Sequence, residues 1–128
     1  MSDREVIASA QAPAAIGPYS QAVRTGNLIF MSGQIPLDPT TMQMVEGGIE
    51  AQTRQVLDNL FAVAAAAGAS LDDSVKLTIY LTDLQNFGVV NEVMQAYFRE
   101  PYPARATVEV TALPRQAMVE IDAVLALP

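Results

Sequence analysis

Arg105 and Glu120 are the residues of this chain best equipped for chemistry on a small polar molecule. Arg105 offers a planar fork of donors that matches the two oxygens of a carboxylate. Glu120 can orient or deprotonate a water beside a carbon attached to that carboxylate. The chain has no His and no Cys, so few other side chains do reactive chemistry. Both residues stand on alternating segments near the end of the chain, Pro103–Val110 and Met118–Asp122. In the first, Val108 and Val110 oppose Arg105, Thr107, Glu109 and Thr111; in the second, Val119, Ile121, Ala123 and Leu125 oppose Glu120 and Asp122. The segments read as a hairpin joined across Leu113-Pro114-Arg115-Gln116, whose even-numbered loop puts both polar rows, and so Arg105 and Glu120, on one surface. Spacing alone favours the plainer assignment, an ion pair across that sheet. Tyr19 beside Gly17-Pro18 reads in isolation as a loop aromatic packed on the surface, and Ser32-Gly33 as an ordinary exit from a strand.

The elements that must position these residues fit one domain spanning 1–128, long enough to bury a core. No apolar run is long enough for a bilayer, and Met1–Glu5 lacks the basic start and apolar stretch of a signal peptide. Absence of cysteine excludes a disulfide framework and thiolate chemistry. The expectation is a small soluble, cytoplasmic protein with no membrane partner. Seven Lys and Arg against fourteen acidic residues, a net charge of −7, argue against a nucleic-acid partner. The basic residues are scattered, without a stripe that could neutralise phosphates.

Glu5–Ser9 reads as a short strand. A loop rich in Pro and Gly follows from Ala12 to Tyr19. Ser20–Arg24 and Leu28–Ser32 read as strands of a hairpin around Thr25-Gly26-Asn27. Gln34–Gly48 is a turn-rich connection in which Met42–Val45 forms a short edge strand. Ile49–Ala67 is the clearest helix, with Val56, Leu60, Val63 and Ala67 at helical spacing and Gly68 at its C-terminal cap. Ser74–Thr82 is the clearest strand, with Val75, Leu77, Ile79 and Leu81 on one face and Lys76, Thr78, Tyr80 and Thr82 on the other. A second helix runs from about Leu84 to Phe98, opened by a Thr82-x-x-Gln85 capping box, with Phe87, Val90, Met94 and Tyr97 as its buried stripe. Two helices with one apolar stripe each cover one face of a mixed sheet. The other face then carries Arg, Glu, Asp, Lys, Tyr and Thr, either solvated or buried in an oligomer.

Several separate motifs, taken together, resemble the RidA (YjgF) family of enamine/imine deaminases. They are Ala14-Ala15-Ile16-Gly17-Pro18-Tyr19-Ser20-Gln21-Ala22, Met31-Ser32-Gly33-Gln34-Ile35-Pro36, Ala51–Leu60, Ala66-Ala67-Gly68, Pro103–Val110, Leu113-Pro114 and Val119-Glu120-Ile121-Asp122-Ala123. The resemblance covers nearly the whole chain in unbroken order. It implies an α/β (α+β) fold of the chorismate-mutase-like type, a mixed β-sheet with two helices on one face, assembled as a homotrimer with sites in clefts between subunits. It also implies hydrolysis of 2-aminoacrylate-type enamines and their tautomers, 2-iminopropanoate and 2-iminobutanoate, to 2-oxo acids and ammonia. These reactive intermediates arise from pyridoxal-phosphate enzymes acting on serine or threonine, and their removal protects other enzymes from covalent damage.

Transferred position by position, the resemblance makes Arg105 the clamp on the substrate carboxylate and Glu120 the residue that holds or activates water, helped by the main-chain carbonyl of Thr107. Tyr19 closes the pocket from the adjacent subunit, while Ser32, Gly33 and Asn91 line it. An imine carbon is already electrophilic, so proximity and orientation suffice without a metal or cofactor. Thr107 stands where members often carry Cys or Ser, and the connection Glu100-Pro101-Tyr102 is shorter than in many members, a change at the pocket rim. Some members have been described as ribonucleases or translation inhibitors, a reading that the acidic balance and missing His weigh against here. The alternative from a different class is a non-catalytic trimeric binder of small 2-oxo or related carboxylates that uses the same Arg105.

Overall fold

The computed structural model describes residues 3–128 and contains six strands and two α-helices. The strands are β1 (Arg4–Ile7), β2 (Ala22–Thr25), β3 (Leu28–Gln34), β4 (Ser74–Leu81), β5 (Ala104–Glu109) and β6 (Val119–Ala126). Helix α1 (Ile49–Ala66) links β3 to β4, and α2 (Phe87–Tyr97) links β4 to β5. The sheet order is β1-β2-β3-β6-β4-β5. Every neighbouring pair is antiparallel except β4 and β5, which are joined by a helix, as parallel neighbours require a crossover. Both helices lie on one face. Val56, Leu57, Leu60 and Val63 of α1 and Val90 of α2 meet Ile29, Leu77, Ile79, Leu81, Val119, Ile121 and Leu125 of the sheet in a fully buried core.

The order of strands and helices and the two-layer architecture agree with the sequence reading. Gly68 ends α1 in the left-handed region (φ +76), where Ala69 N–H reaches Ala64 O at 2.9 Å. Three local expectations change. A register shift between Ser74 and Lys76 turns Val75 outward, 47% exposed, and buries Ser74 in its place. Met42–Val45 forms no strand; a single bridge joins Leu37 to Met44, and Met42 adopts φ +60. No capping box forms at Thr82. Asp83 instead accepts Gln85 N–H at 2.9 Å, Leu84–Asn86 makes a 3-10 turn, and the helix proper starts at Phe87. The buried stripe of α2 is Val90, Val93 and Met94, with Phe87 and Tyr97 half-buried at its ends.

The largest correction concerns the closing strands. β5 and β6 are not a hairpin, because β4 lies between them. Alternation identifies the two faces of a strand but says nothing about its neighbour, and the even-loop argument holds only for strands that pair directly. Tyr80 of β4 has Val108 on one side and Glu120 on the other, whereas Leu77 pairs with Arg105. Paired residues share a face. Glu120 therefore lies on the uncovered face with Tyr80 and Val108, and Arg105 on the helix-covered face with Leu77.

The uncovered face is also less polar than composition suggested. Lys76, Thr78, Tyr80, Glu120 and Asp122 occupy one part, but Val6, Leu28 and Phe30 extend it toward β1 as exposed apolar surface. Phe30 is 46% exposed there.

Candidate functional site

The residues singled out in the sequence fall into two groups. Arg105 stands on the edge strand β5, beneath the outer side of α2. Its Nη1 donates to Asn91 Oδ1 at 2.5 Å and lies 3.9 Å from Met94 Sδ, and the guanidinium carbon sits 5.0 Å from the centre of the Phe87 ring. The edge position explains why a polar row can occupy a covered face: α2 meets it with Asn91 and with the Phe87 ring, a surface suited to a guanidinium. Glu109, two pairs further along the same row, accepts Leu84 N–H at 2.9 Å and so ties β5 to the turn that opens α2.

Arg105 makes no ion pair among the described residues, whereas Arg54 pairs with Glu50 and Arg99 with Asp72. The ion-pair assignment for Arg105 and Glu120 is thereby overturned, and most of the guanidinium fork stays open to an incoming anion. Nearby on the same strand, Thr107 Oγ1 is buried without a hydrogen-bond partner. A cavity of about 430 Å³ opens beside Arg105, lined by Asn91, Met94, Gln95, Phe98, Tyr102 and Pro103.

Glu120, Tyr19, Ser32 and Gly33 form the second group, around another cavity of about 420 Å³ to which Pro13, Ile16 and Pro114 also contribute walls. Ser32 and Gly33 lie where the β3–β6 register shifts, between the pairs Met31–Ala123 and Gln34–Ile121. Such a bulge beside a cavity re-aims the local backbone. Ser32 Oγ donates to Ser20 O at 2.6 Å, and Ser32 N–H to Gln21 O at 2.9 Å. A Cβ at Gly33 would press on the Glu120 side chain, most closely on Oε2, standing 2.9 Å from its carboxyl carbon and 3.1 Å from its Cγ. Tyr19 is 53% exposed, and its hydroxyl accepts Ile16 N–H at 3.3 Å, closing the loop on itself.

Burial pushes the Glu120 carboxyl above its usual range, and the neighbouring negative charge of Asp122 adds to the effect. Tyr80 is raised as well, first by burial and then by the hydrogen bond it donates to Asp122 Oδ2 at 3.1 Å. A carboxyl held part-way from water beside another negative charge keeps its proton more readily than an exposed one. Among the described residues, no group of three or more His, Cys, Asp or Glu is disposed to hold a metal ion.

Three buried amides that the sequence reading passed over hold this second cavity in shape. Gln21 Nε2 lies 2.7 Å from Pro13 O and 3.2 Å from Ser9 O, fixing the segment that leads to Tyr19. Asn59 of α1 donates to Leu37 O at 2.9 Å, and Gln52 Oε1 accepts Met118 N–H at 2.8 Å, two residues before Glu120. A signal existed: Gln52 and Asn59 interrupt the apolar stripe of α1 at helical spacing from Val56 and Val63, and a polar residue there must find a partner. Arg115 and Gln116, with φ of +59 and +62, form the tight turn after Pro114. Non-glycine residues in that region carry strain of about 1–3 kcal/mol each.

The two groups do not meet within one chain. Arg105 aligns with Leu77 and Glu120 with Tyr80, two strands and three residues apart, or about 14 Å between backbones, and they face opposite ways.

A family model described as Endoribonuclease L-PSP matches residues 9–127. A mouse protein named 2-iminobutanoate/2-iminopropanoate deaminase is 48% identical over 121 residues, which make up 94% of this chain and 90% of that protein. The crystal structure of RidA from the Antarctic bacterium Psychrobacter sp. is similar with a TM-score of 0.93 and 50% identity, over 96% of this chain and 99% of that one. The crystal structure of E. coli TdcF with bound serine gives a TM-score of 0.92 and 39% identity, over 97% of this chain and 99% of that one.

Proposed function

The chain belongs to the RidA (YjgF) family, and from that premise we propose that it hydrolyses 2-imino acids to 2-oxo acids and ammonia at a site completed by a second copy of itself. One observation carries this reading: within a single chain, the anion-binding half (Arg105, Asn91, Thr107) and the proton-handling half (Glu120, Gly33, Ser32, Tyr19) stand on opposite faces of the sheet. Each half alone lacks what the other supplies. Copies that pack the uncovered face of one sheet beside the β5 edge of the next bring the halves together and cover Phe30 and Leu28. A closed trimer satisfies this with one kind of contact and three equivalent sites.

In the proposed reaction Arg105 grips the carboxylate of the imino acid and presents its C=N carbon to a water held by Glu120 and the Thr107 carbonyl. Glu120 takes a proton from the water as its oxygen bonds to that carbon, giving a carbinolamine. With the imine nitrogen protonated at the outset, the proton on Glu120 then passes to the carbinolamine nitrogen, the C–N bond breaks, and the hydroxyl proton, taken up through Glu120, leaves with ammonia as ammonium while the carbonyl forms. Water and imine enter, 2-oxo acid and ammonia leave, and Glu120 returns to its starting state. Holding water and carbon in contact can supply several orders of magnitude in rate. The name of the mouse relative supports this substrate class, and the serine bound to TdcF supports a site that takes an amino-acid-like carboxylate.

The test is release of 2-oxo acid and ammonia from freshly generated 2-iminopropanoate and 2-iminobutanoate, with and without the protein. Acceleration over buffer is expected. Saturable binding of 2-oxo acids with no acceleration would replace the deaminase by a carboxylate-binding protein.

A further inference from the structure

We propose that the cavity beside Arg105 receives the substrate's side chain, and that this chain therefore favours imino acids with extended apolar or aromatic side chains over the three-carbon 2-iminopropanoate. The inference rests on the deaminase reading and concerns what lies next to the carboxylate clamp. Three observations support it. The cavity, about 430 Å³, falls in the range of pockets that enclose whole organic ligands and far exceeds a three-carbon acid. Its walls beyond Arg105 and Asn91 are largely apolar: Met94, Phe98, Tyr102 and Pro103. It also has direction. Asn91 touches Arg105, and the lining residues continue along α2 to Phe98, about 10 Å away at the helical rise. A carboxylate fixed at Arg105 thus leaves room for a side chain as long as benzyl to run between α2 and the start of β5.

Tyr102 gives this chain its particular rim. It belongs to the connection between α2 and β5, is 58% exposed, and lines the cavity together with Phe98. Its ring offers an aromatic or branched aliphatic side chain a second apolar wall. Each methylene sheltered in such a pocket is worth about tenfold in kcat/KM.

Imines generated in situ from alanine, leucine and phenylalanine by an amino-acid oxidase provide the probes. The ratio of kcat/KM for the leucine- or phenylalanine-derived imine to that for 2-iminopropanoate is expected at about tenfold or more. Tyr102→Ala, which removes a wall, and Gln95→Trp, which fills the cavity from an exposed position, should each lower that ratio at least threefold with an unchanged melting curve. A ratio near or below one in the wild type, or a ratio that neither variant lowers, overturns the proposal while leaving the deaminase reading intact. Failure to accelerate loss of any of the three imines overturns both.

Discussion

Gly33→Ala is expected to separate catalysis from stability. The added Cβ would stand 2.9 Å from the carboxyl carbon of Glu120 and 3.1 Å from its Cγ. Ordinary carbon–carbon contact needs about 3.5–4.0 Å, so the Glu120 side chain must retreat by roughly 0.6–1 Å. Gly33 does not rely on a left-handed conformation, and a half-buried glutamate can swing at little cost; destabilisation should stay within about 1 kcal/mol. The reaction is less forgiving. A carboxylate displaced by about 1 Å from the water it must deprotonate loses on the order of a hundredfold in rate. The measurement is kcat/KM for 2-iminopropanoate hydrolysis beside a thermal melt and a mass determination on the same preparation. A hundredfold loss with an intact melt and unchanged assembly is expected. Wild-type turnover in this variant would refute the reasoning, since the contact between Gly33 and Glu120 would then have no bearing on the chemistry.

Arg105→Lys keeps the charge but loses the two-toothed grip and the hydrogen bond to Asn91, so kcat/KM should fall roughly tenfold to a hundredfold, equivalent to about 1.5–3 kcal/mol, with little change in melting; near-complete retention would demote Arg105 to a surface cation. Phe30→Asp puts a charge in the middle of the uncovered face, where Phe30 is 46% exposed in the single chain, and light scattering should show the mass falling from that of three chains to that of one, together with activity. A wild-type protein that is a stable monomer at micromolar concentration would remove the shared site. Glu120→Gln should lose about a hundredfold in turnover. Its stability follows from linkage: the folded carboxyl holds its proton above the usual 4.5, so the contribution of this group is fully present below that pH and is lost as pH rises through the raised value. The melting temperature of Glu120→Gln should therefore climb relative to wild type between pH 4 and pH 8, and a flat difference across that range would contradict the burial of the charge.

Much of the fold was legible because periodicity reports directly on burial. Val56, Leu60 and Val63 marked the core face of α1, and Leu77, Ile79 and Leu81 that of β4, since each row had to leave water together. Features decided by one hydrogen bond were not legible. Asp83 rather than Thr82 opens the turn before α2, and the bulge at Val75 inverts a single residue; neither changes the hydrophobic pattern around it. The insertion of β4 between β5 and β6 lay beyond local reading altogether, because pairing depends on which strand returns from a helix to which edge, and alternation is silent on that.

The residues singled out in the sequence lie beside two cavities rather than one, and the error in arrangement is instructive. Taking β5 and β6 as a hairpin made Arg105 and Glu120 partners, with an ion pair as the plain outcome. With β4 between them, the same two residues face apart, Arg105 against Asn91 and Phe87, Glu120 against Gly33. A partly desolvated carboxylate on a half-apolar face is costly to leave as it is, whereas the exposed Arg105 fork keeps its hydration. Ion pairing within the chain would have neutralised both and removed both from use. Their separation leaves the guanidinium without an ion-pair partner and the glutamate pKa raised, and the assembly proposed above would place an anion clamp opposite a proton acceptor with the substrate between them. In this reading, the strand order that misled the sequence analysis is what keeps the site from quenching itself before its substrate arrives.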